Sequence, residues 1–371
     1  MFAKIKRPVI AIIIICLVII SGGCSAAAGS NNNDEHKTIT DMAGRTVEVP
    51  AKIDHVYSAG QPGVVALYTL CPDKLMGWCI EPSDAEAEFI NAKYLNLPVL
   101  GLSQGTNSNA NTEEIIARNP DIILLMTDIN SEDTKAAADE MQETFQIPVV
   151  VVDDELTNMD ESYRFLGKLL GAEDRAEELA SYCAKVINTV TDVSKTIPDN
   201  DKVKVYYAQG STGLQTAPQG SEHSQVIELV GGINVCNLDA IESGRLTINM
   251  EQLFKWNPDV IIASYSDDHG GTNMGNTNVF DIITNANPEW PLLAAVKKGE
   301  IFETPYLPYN WLDMPPSANR IVGVTWLAEL LYPDYYHFDI VQSAKDFYKL
   351  FYRIDLSDEQ ISKLLNEAVK K

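Results

Sequence analysis

The side chains best able to engage a small molecule crowd into a few short loops. Tyr306-Leu307-Pro308-Tyr309-Asn310-Trp311 follows the strand-like run EIFET, Trp78 lies in KLMGWCI, and Tyr265 comes just after VIIA. Aromatic rings at this density can clasp a flat or bulky ligand by stacking and apolar contact; their competing use is ordinary packing beneath a loop. Gln104 and Gln209, each in a glycine-containing loop, add amides that both donate and accept. His223, in GSEHS, offers an imidazole that could ligate an incomplete metal chelate or haem iron, or serve as a capping group where Ser221 opens a helix. No G-x-S-x-G elbow, H-E-x-x-H or P-loop accompanies them, so the pattern reads as binding, not catalysis. An exported α/β hydrolase using a serine and His223 is the reading of a different class.

The elements that must carry these residues are announced by an internal repeat. NTEEIIARNPDII, Asn111 to Ile123, returns as NMEQLFKWNPDVI, Asn249 to Ile261. In each copy an asparagine can cap a short helix, Asn-Pro-Asp stops it because proline lacks an amide donor, and an aliphatic run follows as a strand buried on both faces. Glu113 and Glu251 fall in the first helical turn, where an acid interacts favourably with the helix dipole. Around the repeats, strand-like runs (HVYSA, KLMGWCI, DIILLM, IPVVVVD) alternate with helical stretches near 62–71, 84–94, 112–118 and 131–145, preceded by a hairpin at TITDMAGRTVEVP. Glu173 to about Thr196 has no internal Gly or Pro and reads as one rigid helix of about 36 Å. The expected fold class is α/β: two lobes, each a mostly parallel sheet covered by helices, joined by a single long helix with a ligand cleft between. The expected bounds are 38–154 for the N-terminal lobe, 155–198 for the connecting helices and 199–371 for the C-terminal lobe, whose closing helices lie near 317–331, 339–352 and 357–370. Ligands of open α/β sheets sit beyond the carboxyl ends of the strands, which puts the loops named above in the cleft.

Lys4, Lys6 and Arg7 precede an apolar core from Pro8 to Ile20, and small residues follow. This is an export signal over 1–23, too short for a comfortable membrane span. The net charge of −24 deepens by three once that leader is removed, a surface that repels nucleic acid and anionic membranes. Four cysteines remain beyond Cys24, too few for a disulfide framework, although Cys71 and Cys79 could pair. No spacing suggests a structural zinc site or a resident cofactor.

Ser21-Gly22-Gly23-Cys24 resembles a bacterial lipoprotein signal, departing from it in having Ser21 where leucine is usual; the resemblance implies a lipid on Cys24 and a polar tether over 24–37. A plain cleaved signal or an uncleaved anchor is the alternative. With D-x-x-G-R-T-V-x-V-P at Asp41 to Pro50, the two E-x(6)-P-D units and ELVGGINV at Glu228 to Val235, the chain is similar to the substrate-binding lipoproteins of ABC importers for iron chelates, haem and corrinoids. That resemblance implies an extracytoplasmic monomer, not an enzyme, held to the cell membrane only by its lipid. It would receive a metal chelate, iron-siderophore first, with corrinoid, haem or nickel chelate as the alternative, and deliver it to an ABC permease with its ATPase. It further implies that Glu113 and Glu251 dock onto permease arginines and that Arg320 matches an arginine the family carries at this point. An arginine common just before the Pro-Gly turn is Met314 here, which favours a neutral or weakly charged chelate.

Overall fold

The computed structural model describes residues 36–104, 108–238, 245–266, 277–286 and 288–370, without the side chains of 265, 266, 277 and 286; the leader, Cys24 and the tether lie outside it. Residues 36–371 make one compact unit. It opens on an antiparallel hairpin, His36–Thr40 with Thr46–Pro50, turned through Gly44 at φ +79°. Buried Asp41 ties the hairpin down: its carboxylate accepts the Arg45 amide at 2.8 Å and pairs with the Arg45 guanidinium at 3.0 Å, while the same guanidinium donates to the Val149 carbonyl.

The first lobe is built on a parallel sheet ordered Val56–Ser58, Ile122–Thr127, Val149–Asp153. Its last two strands are buried almost throughout, as a sheet covered on both faces demands. The second lobe has a parallel sheet ordered Ile301–Glu303, Val260–Ala263, Lys204–Ala208, Ile233–Asn234. Parallel pairing requires crossovers, and the helices Gln61–Leu70, Thr112–Arg118, Thr134–Phe145 and Met250–Trp256 supply them.

KLMGWCI forms no continuous strand. Leu75 bridges to Val56 whereas Trp78 bridges to Val99, so the two halves have different neighbours and no ladder can run through both. Gly77 sits at the switch, where a Cβ would meet the Pro98 carbonyl at 2.4 Å.

Between the lobes run Met159–Leu170, which ends on Gly171 at φ +68°, and the 22-residue helix Glu173–Ser194. Ala176, Leu179, Ala180, Cys183, Val186, Ile187 and Val190 form the buried stripe of the long helix at three- and four-residue spacing. Gly167 lets the two helices touch; a Cβ there would lie 2.4 Å from that of Ala176. The closing helix Asn319–Leu331 is buried on nearly every face and packs against the long helix. One apolar core therefore runs from the first sheet through the connecting helices to the C-terminal helices, with a smaller core behind each sheet. Cys71, Cys79, Cys183 and Cys236 are all free, which corrects the Cys71–Cys79 pairing; burial pushes the thiols of Cys71 and Cys79 up to about 12, and the Cys79 thiol points at the Ser58 carbonyl. Among the described residues no helix is long and apolar enough to cross a membrane.

Candidate functional site

The two repeats fold alike to the level of single hydrogen bonds. Asn111 Oδ1 accepts the Glu114 amide at 3.1 Å, and Asn249 Oδ1 accepts that of Gln252 at 2.8 Å. Both helices end on an asparagine in the left-handed region, Asn119 at φ 52° and Asn257 at φ 46°, a conformation asparagine tolerates better than most side chains. The aspartate after each proline then pins the neighbouring strand: Asp121 Oδ2 accepts the Asp54 and His55 amides at 2.7 and 2.8 Å, and Asp259 Oδ2 accepts the Lys204 amide at 3.0 Å. Ile115 and Leu253 turn into the core, so each helix keeps a fixed outer face.

Glu113 and Glu251 lie on those outer faces and are exposed. Among the described residues neither side chain has an ion-pair or hydrogen-bond partner. Glu114, by contrast, is held by Arg118 at 2.8 Å.

A second cluster forms within the second lobe, next to the seam between the lobes. Asn310 Oδ1 accepts the Leu312 and Asp313 amides at 2.7 and 3.3 Å, a local turn that drives Asp313 inward. The fully buried Asp313 carboxylate accepts the Tyr207 hydroxyl at 2.7 Å and the Gln209 amide at 2.9 Å, and lies 3.3 Å from Arg245 and 3.4 Å from His223 Nδ1. Burial pushes this carboxyl up most strongly, but His223, the Arg245 charge and Tyr207 together outweigh it and hold the group below its ordinary value. The His223 side chain is 13% exposed, and its Nε2 lies 3.4 Å from Glu222.

Arg320 completes the seam. Fully buried, it donates to Gln225 Oε1 at 2.8 Å and to the carbonyl of Asp154, just past the end of a first-lobe strand. Gln225 reaches across to Glu155 at 2.6 Å. The Asp154 carboxyl is pushed up to about 7 by burial and by Glu222, against the pull of Arg320.

Gln209 and His223 thus share the Asp313 cluster, Arg320 holds the seam beside it, and the other candidates join neither. Gln104 lines a first-lobe cavity of about 470 Å³ with Thr112, Thr127, Glu140 and Phe145. Tyr306 lines a separate cavity of about 590 Å³ with Asn278, Glu303, Lys363 and Asn366. The buried Oε1 atoms of Gln104 and Gln209 have no hydrogen-bond partner among the described residues. Tyr309 is partly buried, and its carbonyl accepts from Asn319 at 3.1 Å. Trp78 and Trp311 are 1% and 0% exposed; their indole N–H groups donate to the Tyr94 carbonyl and the Tyr348 hydroxyl, and both rings pack among other aromatics of the core. Tyr265 begins a two-residue strand paired with Thr277–Asn278, and its side chain lies outside the described ones. Ser221 does not cap the helix, which starts only at Gln225; its hydroxyl accepts the His223 amide at 3.3 Å in the preceding turn.

Asp313 and Arg245 escaped the reading of the sequence. The available signal was an acid inside the apolar, proline-rich run WLDMPP, where a charge has to be paired once buried.

Residues 84–306 match the family described as periplasmic binding protein. Over 232 residues the chain is 24% identical to an uncharacterized ABC transporter substrate-binding lipoprotein, YvrC, of Bacillus subtilis (strain 168); the match takes in 61% of this chain and 66% of that protein, just under two thirds of its length. An ABC transporter solute binding protein from Sulfurospirillum deleyianum has a TM-score of 0.77 at 28% identity, covering 88% of this chain and 98% of that one. A periplasmic solute binding protein from Veillonella parvula shares the fold with a TM-score of 0.69 at 24% identity, covering 90% and 97%. With the family matched over more than half of its length, and with two parallel-sheet lobes joined by a long helix, the chain belongs to the periplasmic binding protein family, whose members bind substrates and are not enzymes.

Proposed function

We propose that this protein is an extracytoplasmic receptor, anchored by a lipid on Cys24, that captures a metal chelate and delivers it unaltered to an ABC permease with its ATPase. An iron-siderophore is the first candidate. The observation that carries this reading is the duplication of one exposed, unpartnered acid, Glu113 on one lobe and Glu251 on the other, each on a helix of identical construction. A permease of two related halves requires the same group presented twice, and an unpaired carboxylate is ready to meet an arginine. The cluster of Gln209, His223, Asp313 and Arg245 supports a ligand held by hydrogen bonds beside the seam. Asp313 offsets the Arg245 charge, which suits a neutral or weakly charged chelate.

Mass spectrometry of the protein purified from its native host is expected to release an intact metal chelate. Glu113→Ala with Glu251→Ala should abolish its uptake while leaving its binding unchanged. Uptake at the wild-type rate by that double variant would sink the docking assignment, and chemical turnover of the ligand would favour a hydrolase.

A further inference from the structure

We propose that the docking surface is a pair of two-part patches, in which Ile116 and Phe254 supply an apolar anchor beside Glu113 and Glu251. The inference rests on the permease reading above and extends it to residues outside the acidic motif. Ile116 is 43% exposed and Phe254 37% exposed. They occupy the same position of the duplicated helix, three residues after the glutamate in each copy. Side chains three apart on a helix are neighbours on one face, so each acid has a large apolar group beside it on the solvent side. The core does not claim either one, because Ile115 and Leu253 already fill the inward positions.

A single exposed aliphatic residue is ordinary. The same exposure at equivalent places on two lobes, each time beside an unpartnered acid, is what distinguishes this pair from Val99, Leu238, Leu292 and Val341, which lie outside the duplicated helices. The chemistry fits one occupant, a membrane protein of two related halves that offers, twice over, a basic group next to an apolar pocket. The charge steers and orients the encounter, and the apolar side chain, once desolvated, slows release.

The test is a titration of the cognate permease with its ATPase, reconstituted in lipid nanodiscs, with ligand-free protein at low and high salt. Ile116→Ser with Phe254→Ser is expected to weaken the complex about tenfold or more at both salt concentrations. Ile116→Ser and Phe254→Ser taken singly should each account for a part of that loss. Glu113→Ala with Glu251→Ala should weaken it mainly at low salt. Leu292→Ser, which removes a side chain 58% exposed outside the repeats, is the control and should bind as wild type. Unchanged thermal melts would show that the serine variants fold. An apolar double variant within twofold of wild type, alongside a weakened glutamate variant, overturns the anchor and leaves acidic docking standing. Wild-type affinity in both double variants overturns the docking reading itself.

Discussion

Gly323 lies against the backbone carbonyl of Trp311, so closely that a methyl group on its Cα would stand 1.8 Å from that oxygen. The obstacle is backbone, which no side-chain rotation relieves, and the loop it restrains is the one that presents Asp313. Gly323→Ala is expected to cost about 1–3 kcal/mol, as overpacking does, or more if the loop is displaced. A urea midpoint equal to that of wild type would contradict this packing.

Asp313→Asn keeps the side chain's shape and removes the charge facing His223 and Arg245. Breaking a buried pair costs about 3–5 kcal/mol, and the lower end is expected because the Arg245 side chain keeps some exposure. The sign of its pH dependence follows from a depressed carboxyl. Its contribution is complete above the ordinary carboxylate range and is lost as pH falls through the lowered folded value. The gap between wild type and variant in urea unfolding should therefore be wide at neutral pH and shrink in acid.

Glu303 and Asp154 behave in the opposite sense. Burial is the main cause in both, reinforced by Asp281 and Glu367 around Glu303, and it raises both carboxyls to about 7. A raised acid contributes stability that is present below its unfolded value and lost as pH climbs through the folded one. Thermal melts of wild type should thus decline from about pH 5 to about pH 8 on account of these groups. Glu303→Gln should flatten that decline and melt higher than wild type at the alkaline end; a parallel decline in the variant would remove Glu303 from the explanation.

Asn119 and Asn257 close the two repeat helices in left-handed backbone. Alanine at either place is expected to cost about 1–2 kcal/mol, and glycine close to nothing, since only the former pays for a Cβ against the carbonyl. Chemical denaturation of four single variants measures this directly. Equal losses for alanine and glycine would show that the asparagine side chains, not their backbone angles, matter.

Much of this architecture was legible beforehand because it is written in local rules. The hairpin around Gly44, the capped repeat helices, the aliphatic strands behind them and the unbroken helix Glu173–Ser194 all follow from caps, breakers and periodicity within short windows. The misreadings share a different cause. KLMGWCI has the composition of a strand, but pairing needs one continuous neighbour and it has two partial ones. Trp78 and Trp311 sit where cleft aromatics belong in sequence order, yet each indole found its hydrogen-bond partner inside the core.

The amino-acid sequence by itself determined the duplicated unit, the rod between the copies and the acid at the head of each short helix, because these depend on residues a few places apart. Only the tertiary structure decided which polar groups converge: Tyr207, His223, Arg245 and Asp313 come from four separate segments, and Arg320 meets Asp154 across the seam. A buried charge is tolerable only beside its counter-charge, and that partner was chosen by packing between distant segments, which no spacing along the chain encodes.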